Sequence, residues 1–103
     1  MINVGLIGYG YWGKILHSKL EKISNVKFIC RSKDSYADKL DSVDWVFIAT
    51  PDNTHYEIAK NCILNGKNVF CEKPFTSNFK QTLSLYDLAE THGIRLYVDD
   101  VFN

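Results

Sequence analysis

The stretch VGLIGYGYWGKIL, residues Val4–Leu16, sets Gly8, Gly10 and Gly13 in the spacing G-x-G-x-x-G between an apolar run and a segment of helical period. Each glycine has its own physical reason. Gly8 permits a tight strand-to-helix turn, Gly10 lets backbone approach a pyrophosphate, and Gly13 lets the helix pack against the strand. A phosphate placed there meets the unpaired N–H groups and the positive end of the helix dipole. The reading as a dinucleotide-binding turn needs a strand before the motif and a helix after it, and the chain supplies both. The alternative is a purely structural glycine turn. Tyr9, Tyr11 and Trp12 occupy variable positions whose side chains can point away from phosphates held by backbone. Trp12 shares a helical stripe with Ile15, Leu16, Leu20 and Ile23, which sets it against the sheet or at a domain boundary. Tyr9 and Tyr11 flank the pyrophosphate or face a further domain.

Working outward, short apolar runs alternate with helical stretches. INVGLIG (2–8), VKFIC (26–30), DWVFIAT (44–50), NVFCE (68–72) and RLYVD (95–99) read as strands. They are almost continuously apolar, as parallel strands covered on both faces are. A second helix is predicted over Thr54–Asn65 with Tyr56, Ala59, Cys62 and Ile63 inward. Thr54 and Glu57 form its capping box and Gly66 its left-handed terminus. A third spans Asn78–His92, with Phe79, Leu83, Tyr86 and Ala89 inward and Gly93 just beyond. Strand–helix–strand repetition implies right-handed crossovers and an open parallel α/β sheet.

One interval is too short for the standard dinucleotide fold. RSKDSYADKLDSV, residues 31–43, separates two strands where a helix, a strand and a further crossover are normally found. Ser35–Leu40 has room for about one helical turn. The expected architecture is therefore a Rossmann fold of about five strands. One helix–strand unit is shortened or missing after the second strand, which lies at an edge.

Bulk properties narrow the function classes. A length of 103 residues fits one small domain, and 46% hydrophobic with 23% charged residues is ordinary globular usage. Twelve basic residues balance twelve acidic ones, which argues against nucleic acid or an anionic membrane surface as the main partner. No apolar run approaches a membrane span, and no basic leader precedes INVGLIG, so a cytoplasmic protein is expected. Cys30, Cys62 and Cys71 are odd in number and lack C-x-x-C spacing, reading as buried thiols in a reducing compartment. His17, His55 and His92 lack ligand spacing, and no metal is expected.

Two further segments lie at carboxyl ends of predicted strands, where open α/β sheets bind ligands. They are ATPDNTH (49–55) and CEKPF (71–75). In the second, the Lys73 ammonium could hold a substrate hydroxyl or stabilise charge as a proton and hydride depart. Taken alone, Glu72, Lys73 and Pro74 also fit a surface ion pair beside a turn proline. After the second strand, an acidic residue normally accepts the ribose hydroxyls. Here Arg31, Ser32 and Lys33 stand first, a set that suits a 2′-phosphate and favours NADP over NAD. A solvated polar loop is the alternative, and Asp34 reaching the ribose would restore NAD.

GLIGYGYWGK, FIATPDNTHYEIA and GKNVFCEKPF, in this order, resemble the glucose–fructose oxidoreductase / inositol dehydrogenase (Gfo/Idh/MocA) family, over nearly the whole chain. The resemblance implies an N-terminal NAD(P)-binding Rossmann domain with the phosphates at Gly8–Gly13. Thr50, Pro51, Asn53 and His55 would line the nicotinamide end, and Glu72, Lys73 and Pro74 the reaction centre. It also implies a lysine, Lys73, contacting the substrate hydroxyl being oxidised. The GYWGK form of the turn looks most like members acting on nucleotide-linked sugars. Family enzymes continue into a second α/β domain that carries a catalytic Asp and His and most substrate contacts. Residues 1–103 are expected to be the dinucleotide-binding domain, with that substrate domain absent or on a separate chain.

Two functions follow from this sequence. The first is the nicotinamide-dinucleotide-binding domain of an oxidoreductase acting on CH–OH groups of a sugar, polyol or nucleotide sugar. Such a domain alone is expected to bind cofactor without turnover. The second is a non-catalytic degenerate Rossmann module that senses nucleotide or scaffolds a partner. Val101 and Phe102 extend an apolar end, and self-association is expected there.

Overall fold

A computed structural model describes residues 2–31, 34–50, 54–72 and 79–99, with the backbone alone at 72, 79, 98 and 99. The elements are β1 (Asn3–Ile7), α1 (Tyr11–Ile23), β2 (Asn25–Cys30), a 3₁₀ helix (Ala37–Ser42), β3 (Trp45–Ile48), α2 (His55–Leu64), β4 (Asn68–Glu72), α3 (Phe79–His92) and β5 (Leu96–Asp99). The strands form one parallel sheet in the order β2-β1-β3-β4-β5. The expected α/β architecture is the observed one. β2 lies at an edge, and among its described residues the 31–43 link holds the 3₁₀ helix as its one regular element.

The strand order reverses direction at β1. The α1 crossover steps from β1 to β2 on one side, while α2 and α3 step from β3 to β5 on the other. Right-handed crossovers therefore put α1 on one face and α2 with α3 on the opposite face. α1 packs on β1 and β2, and α2 packs on α3, β3 and β4.

The α2/α3 face holds the main core. Ile7, Val46, Ile48, Val69, Cys71 and Leu96 from the strands meet Ile58, Ala59, Cys62, Ile63, Leu85 and Ala89 from the helices, with Leu40 and Val43 from the shortened link closing one side. Burying so many aliphatic side chains removes most of the apolar area that drives folding. All three cysteines are buried. Burial pushes the Cys62 thiol up from an ordinary 9.0 to about 12, since a thiolate there would lose its hydration.

The α1 face is different. Val4 and Leu6 are buried on it, but Trp45, Phe47 and Phe70 are only half-buried and Tyr97 is exposed. Register puts these six on one side, pairing Val4 with Trp45, Leu6 with Phe47, and Phe70 with Tyr97. Trp45 stacks on Tyr97 with ring centroids 5.8 Å apart, and Phe47 tilts onto Phe70 at 5.2 Å. Coverage on both faces, expected from the apolar strands, thus holds for β1 but not for β3–β5. Aromatic side chains make those runs apolar with no described helix above them.

Helix ends follow the predicted glycines. Gly66 and Gly93 take φ of 76° and 67°. In each case the amide just after the glycine bonds back to an earlier carbonyl: Lys67 N–H to Cys62 O at 3.0 Å, and Ile94 N–H to Ala89 O at 3.1 Å. Three expectations are corrected. Thr54 stands at the N-cap of α2 but makes no side-chain cap bond, so the Thr54–Glu57 box is not formed; its hydroxyl turns to Thr50 instead. On α3, Leu83 and Tyr86 are exposed, and Leu85 with Ala89 faces the core. That helix carries two apolar stripes, and packing against α2 selects the other one. On α1, Trp12 and Ile23 are exposed, leaving Leu20 and Gly13 as its buried contacts. No helix among the described residues is long and apolar enough to cross a membrane.

Candidate functional site

Where a parallel sheet reverses its strand order, the loops at the carboxyl ends diverge to opposite faces and leave a crevice. Here that point lies between β1 and β3. The crevice is a groove of about 570 Å³ lined by Gly8, Tyr9, Gly10, Tyr11, Trp12, Lys14, Arg31, Ala49 and Thr50. These residues come from the ends of β1, β2 and β3 and from the first turn of α1, brought together by the sheet.

The turn at the end of β1 is pinned from both sides. Gly8 N–H donates to Cys30 O at 2.7 Å, and Ala49 N–H donates to Ile7 O at 2.8 Å. Gly8 has φ of 103°, and a Cβ there would stand 2.5 Å from the carbonyl carbon of Ala49. Only glycine meets both demands. At Gly13 a Cβ would overlap the carbonyl oxygen of Gly8, so α1 starts in direct contact with the turn.

Gly10 behaves differently. It is the N-cap of α1, with no side-chain cap bond, and a Cβ there meets nothing within 4 Å. The space above it is open groove. Lys14 N–H donates to Gly10 O at 3.0 Å and is the first intrahelical bond, so the amides of Tyr11, Trp12 and Gly13 lack helical acceptors. No acidic residue lies in this first turn. Among the described residues the groove wall carries two cations, Lys14 and Arg31, and no carboxylate. Open space, the first-turn amides of a helix, its positive end and two cations fit a pyrophosphate.

Among the residues singled out in the sequence, Gly8, Tyr9, Gly10, Tyr11, Trp12, Arg31 and Thr50 line this groove, and Gly13 supports it from beneath. Tyr11 is 77% exposed and Trp12 43%, with their rings edge to face at 5.7 Å. Neither plugs the turn, and Trp12 sits on the groove wall rather than against the sheet. Arg31 is exposed at the end of β2, and no described carboxylate pairs with it. Asp34 bonds back instead: its Oδ2 accepts from Arg31 N–H, and its own N–H donates to Arg31 O, both at 2.9 Å.

His55 does not reach the groove. It is 2% exposed at the start of α2, and its Nε2–H donates to Thr50 O at 2.5 Å. The carbonyl can only accept, so Nε2 carries a proton. Thr50 is buried beside it and accepts a 2.7 Å bond from the Thr54 hydroxyl. His55 and Thr54 together fix the chain that leaves β3. Cys71 of β4 pairs with Ile48 of β3, so the backbone of Glu72 ends at the same end of the sheet. Ser32, Lys33, Pro51, Asn53, Lys73 and Pro74 lie outside the described residues.

Sequence reasoning missed Lys14 and Ala49. Lys14 follows Gly13 directly in WGK, and the first turn of a helix faces the motif that opens it. Ala49 is pure topology, because only the β1–β3 pairing carries it to Gly8.

Comparison with known proteins agrees with this geometry. The model of the oxidoreductase family with an NAD-binding Rossmann fold, Gfo/Idh/MocA, matches residues 15–100. An uncharacterized oxidoreductase of Escherichia coli is 33% identical across 89% of this chain, and the NADP⁺-dependent scyllo-inositol 2-dehydrogenase IolW of Bacillus subtilis is 27% identical across 94%. Each is covered over 32% of its own length. The solved UDP-N-acetylglucosamine 3-dehydrogenase GnnA of Acidithiobacillus ferrooxidans superposes with a TM-score of 0.87 at 26% identity, over 94% of this chain and 37% of that one. The chain thus spans about a third of the length of these relatives. Sheet order, the groove at the strand reversal and the family match converge: this chain belongs to the Gfo/Idh/MocA oxidoreductases and forms their NAD(P)-binding Rossmann domain.

Proposed function

We propose that this domain serves an oxidoreductase acting on CH–OH groups of a sugar, polyol or nucleotide sugar, with NADP as the preferred cofactor. The observation that carries the binding mode is the open space over Gly10 at the start of α1, in a groove that no described carboxylate lines. In this reading the pyrophosphate lies on the amides of Tyr11, Trp12 and Gly13. The adenosine ribose lies toward Arg31, and the nicotinamide toward Thr50. Arg31 supports the NADP preference because it lines the groove while the nearby Asp34 is tied to backbone. Bound NAD(P) supplies the hydride acceptor or donor; the protein supplies orientation and charge.

Relatives acting on inositol and on a UDP-linked amino sugar support the substrate class. Glu72 ends β4, which pairs with β3, and Lys73 and Pro74 come next in the sequence; we assign Lys73 the contact to the reacting hydroxyl. Hydride transfer needs substrate held in near-attack geometry. A substrate domain, continuing this chain or on another, completes the site; these 103 residues alone bind cofactor without turnover. The half-covered aromatic side chains of β3–β5 support self-association, which light scattering against concentration reads; Val101 and Phe102 lie outside the described residues.

Fluorescence titration with NADPH and NADH tests the reading. Binding with NADPH preferred, and the preference reversed by Arg31→Asp, supports it. Equal affinity in wild type and variant removes the NADP assignment. Robust turnover of polyols or nucleotide sugars by this chain alone would contradict the need for a second domain.

A further inference from the structure

We propose that His17 and Glu21 are positioning residues for the cofactor groove, acting through Tyr9 on Lys14. The proposal rests on the dinucleotide reading and adds to it three side chains outside the glycine motif, Lys14, His17 and Glu21, joined through Tyr9 within it. The Tyr9 hydroxyl lies 2.9 Å from His17 Nδ1, and His17 Nε2 lies 2.8 Å from Glu21 Oε1. The donor order follows from chemistry. An ionised carboxylate only accepts, so Nε2 carries a proton toward Glu21. In the neutral imidazole Nδ1 is then an acceptor, and it takes the phenol proton of Tyr9. Glu21 thus selects the His17 tautomer that can hold Tyr9.

The tether has a geometric consequence. His17 lies one turn beyond Gly13 on α1, so the bond lays the Tyr9 side chain along the helix, where a Cβ on Gly13 would sit 3.8 Å from Tyr9 Cδ1. The Tyr9 and His17 rings are 5.6 Å apart and tilted by 59°. Held this way, Tyr9 forms part of the groove wall and keeps its phenol out of the space over Gly10. The Lys14 ammonium rests 5.9 Å from the centroid of the Tyr9 ring, and Lys14 also lines the groove. The ring therefore serves as a seat for the ammonium, by cation–π attraction, beside the place where the pyrophosphate is read. Without the tether the ring loses its fixed position and Lys14 loses its seat.

Calorimetric titration of the 103-residue chain with ADP-ribose, which carries the pyrophosphate and no nicotinamide, tests the arrangement. Lys14→Met should weaken binding by about fivefold and flatten its dependence on salt. Tyr9→Phe, which keeps the ring and removes the tether, should weaken it by about threefold, and His17→Leu by a similar factor. His17→Gln offers an acceptor to Tyr9 and a donor to Glu21, and should restore affinity to within about twofold of wild type. In a Lys14→Met background, Tyr9→Phe should add almost nothing, because its effect runs through Lys14. Thermal melting of each variant separates these effects from loss of fold. Wild-type affinity in Tyr9→Phe and His17→Leu would overturn the proposal. So would His17→Gln as weak as His17→Leu, or Lys14 and Tyr9 effects that simply multiply. If wild type binds neither ADP-ribose nor NADPH, the dinucleotide reading itself fails, and this inference with it.

Discussion

The two faces of the sheet are built from the same five strands and do opposite work. Under α2 and α3, aliphatic side chains from every strand but the edge strand β2 close into a dry core. Under α1, coverage ends after β1, and Trp45, Phe47, Phe70 and Tyr97 carry the apolar surface onward with no described helix above them. The cofactor groove belongs to neither face. It sits at the carboxyl ends where the chain changes from one face to the other. Stability is concentrated on one side of the sheet, and binding depends on the seam between the two.

This contrast sets the size of mutational effects. Ile63→Ala, in the closed core, should cost about 3 kcal/mol in urea unfolding, whereas Phe47→Ala, on the half-covered face, should cost about 1 kcal/mol. Equal costs would mean that the aromatic face is as well packed as the core. Within the groove, Gly13→Ala should destabilise by about 2 kcal/mol, because its methyl collides with the backbone of Gly8. Gly10→Ala should change stability by about 1 kcal/mol or less, since its methyl enters open space at an N-cap. Both should abolish cofactor binding. If Gly10→Ala binds NADPH normally, the space above Gly10 is not the phosphate site.

A smaller effect should appear in alkali. The Cys62 thiol titrates higher in the fold than in the unfolded chain, because burial disfavours its thiolate. Its contribution to stability is complete below the unfolded value near 9.0 and is lost as pH rises toward about 12. Burial raises Cys30 and Tyr36 in the same direction. Urea midpoints should therefore fall across this range, and Cys62→Ala should shallow the fall even though it lowers stability at neutral pH. A fall just as steep in that variant would place the alkaline sensitivity elsewhere.

Local signals were legible in the sequence and non-local ones were not. The apolar runs marked all five strands, and Gly66 and Gly93 marked two helix ends, because strand propensity and left-handed caps are properties of neighbouring residues. The shortness of 31–43 placed β2 at an edge for the same reason. The inward face of α3 was misread because Leu83 and Tyr86 form as good an apolar stripe as Leu85, Leu88 and Ala89. Contact with α2, distant in sequence, makes the choice. Thr54 looked like a helix cap, yet its hydroxyl found Thr50. His55 carried a resemblance to a nicotinamide-side residue, and the structure places it in the interior, holding a carbonyl. In the groove, glycine spacing announced the turn, while Lys14 and the Tyr9–His17–Glu21 chain required knowing how α1 lies against it.

The central claim is that dinucleotide binds at the carboxyl-end seam between β1 and β3, not on the open aromatic face. Amide NMR mapping during an NADPH titration tests it most directly. The account predicts that the largest shifts fall on Gly8 through Lys14, Arg31 and Thr50, with Trp45, Phe47, Phe70 and Tyr97 little changed. Shifts concentrated on those four aromatic residues, or no shifts at saturating cofactor, would contradict it.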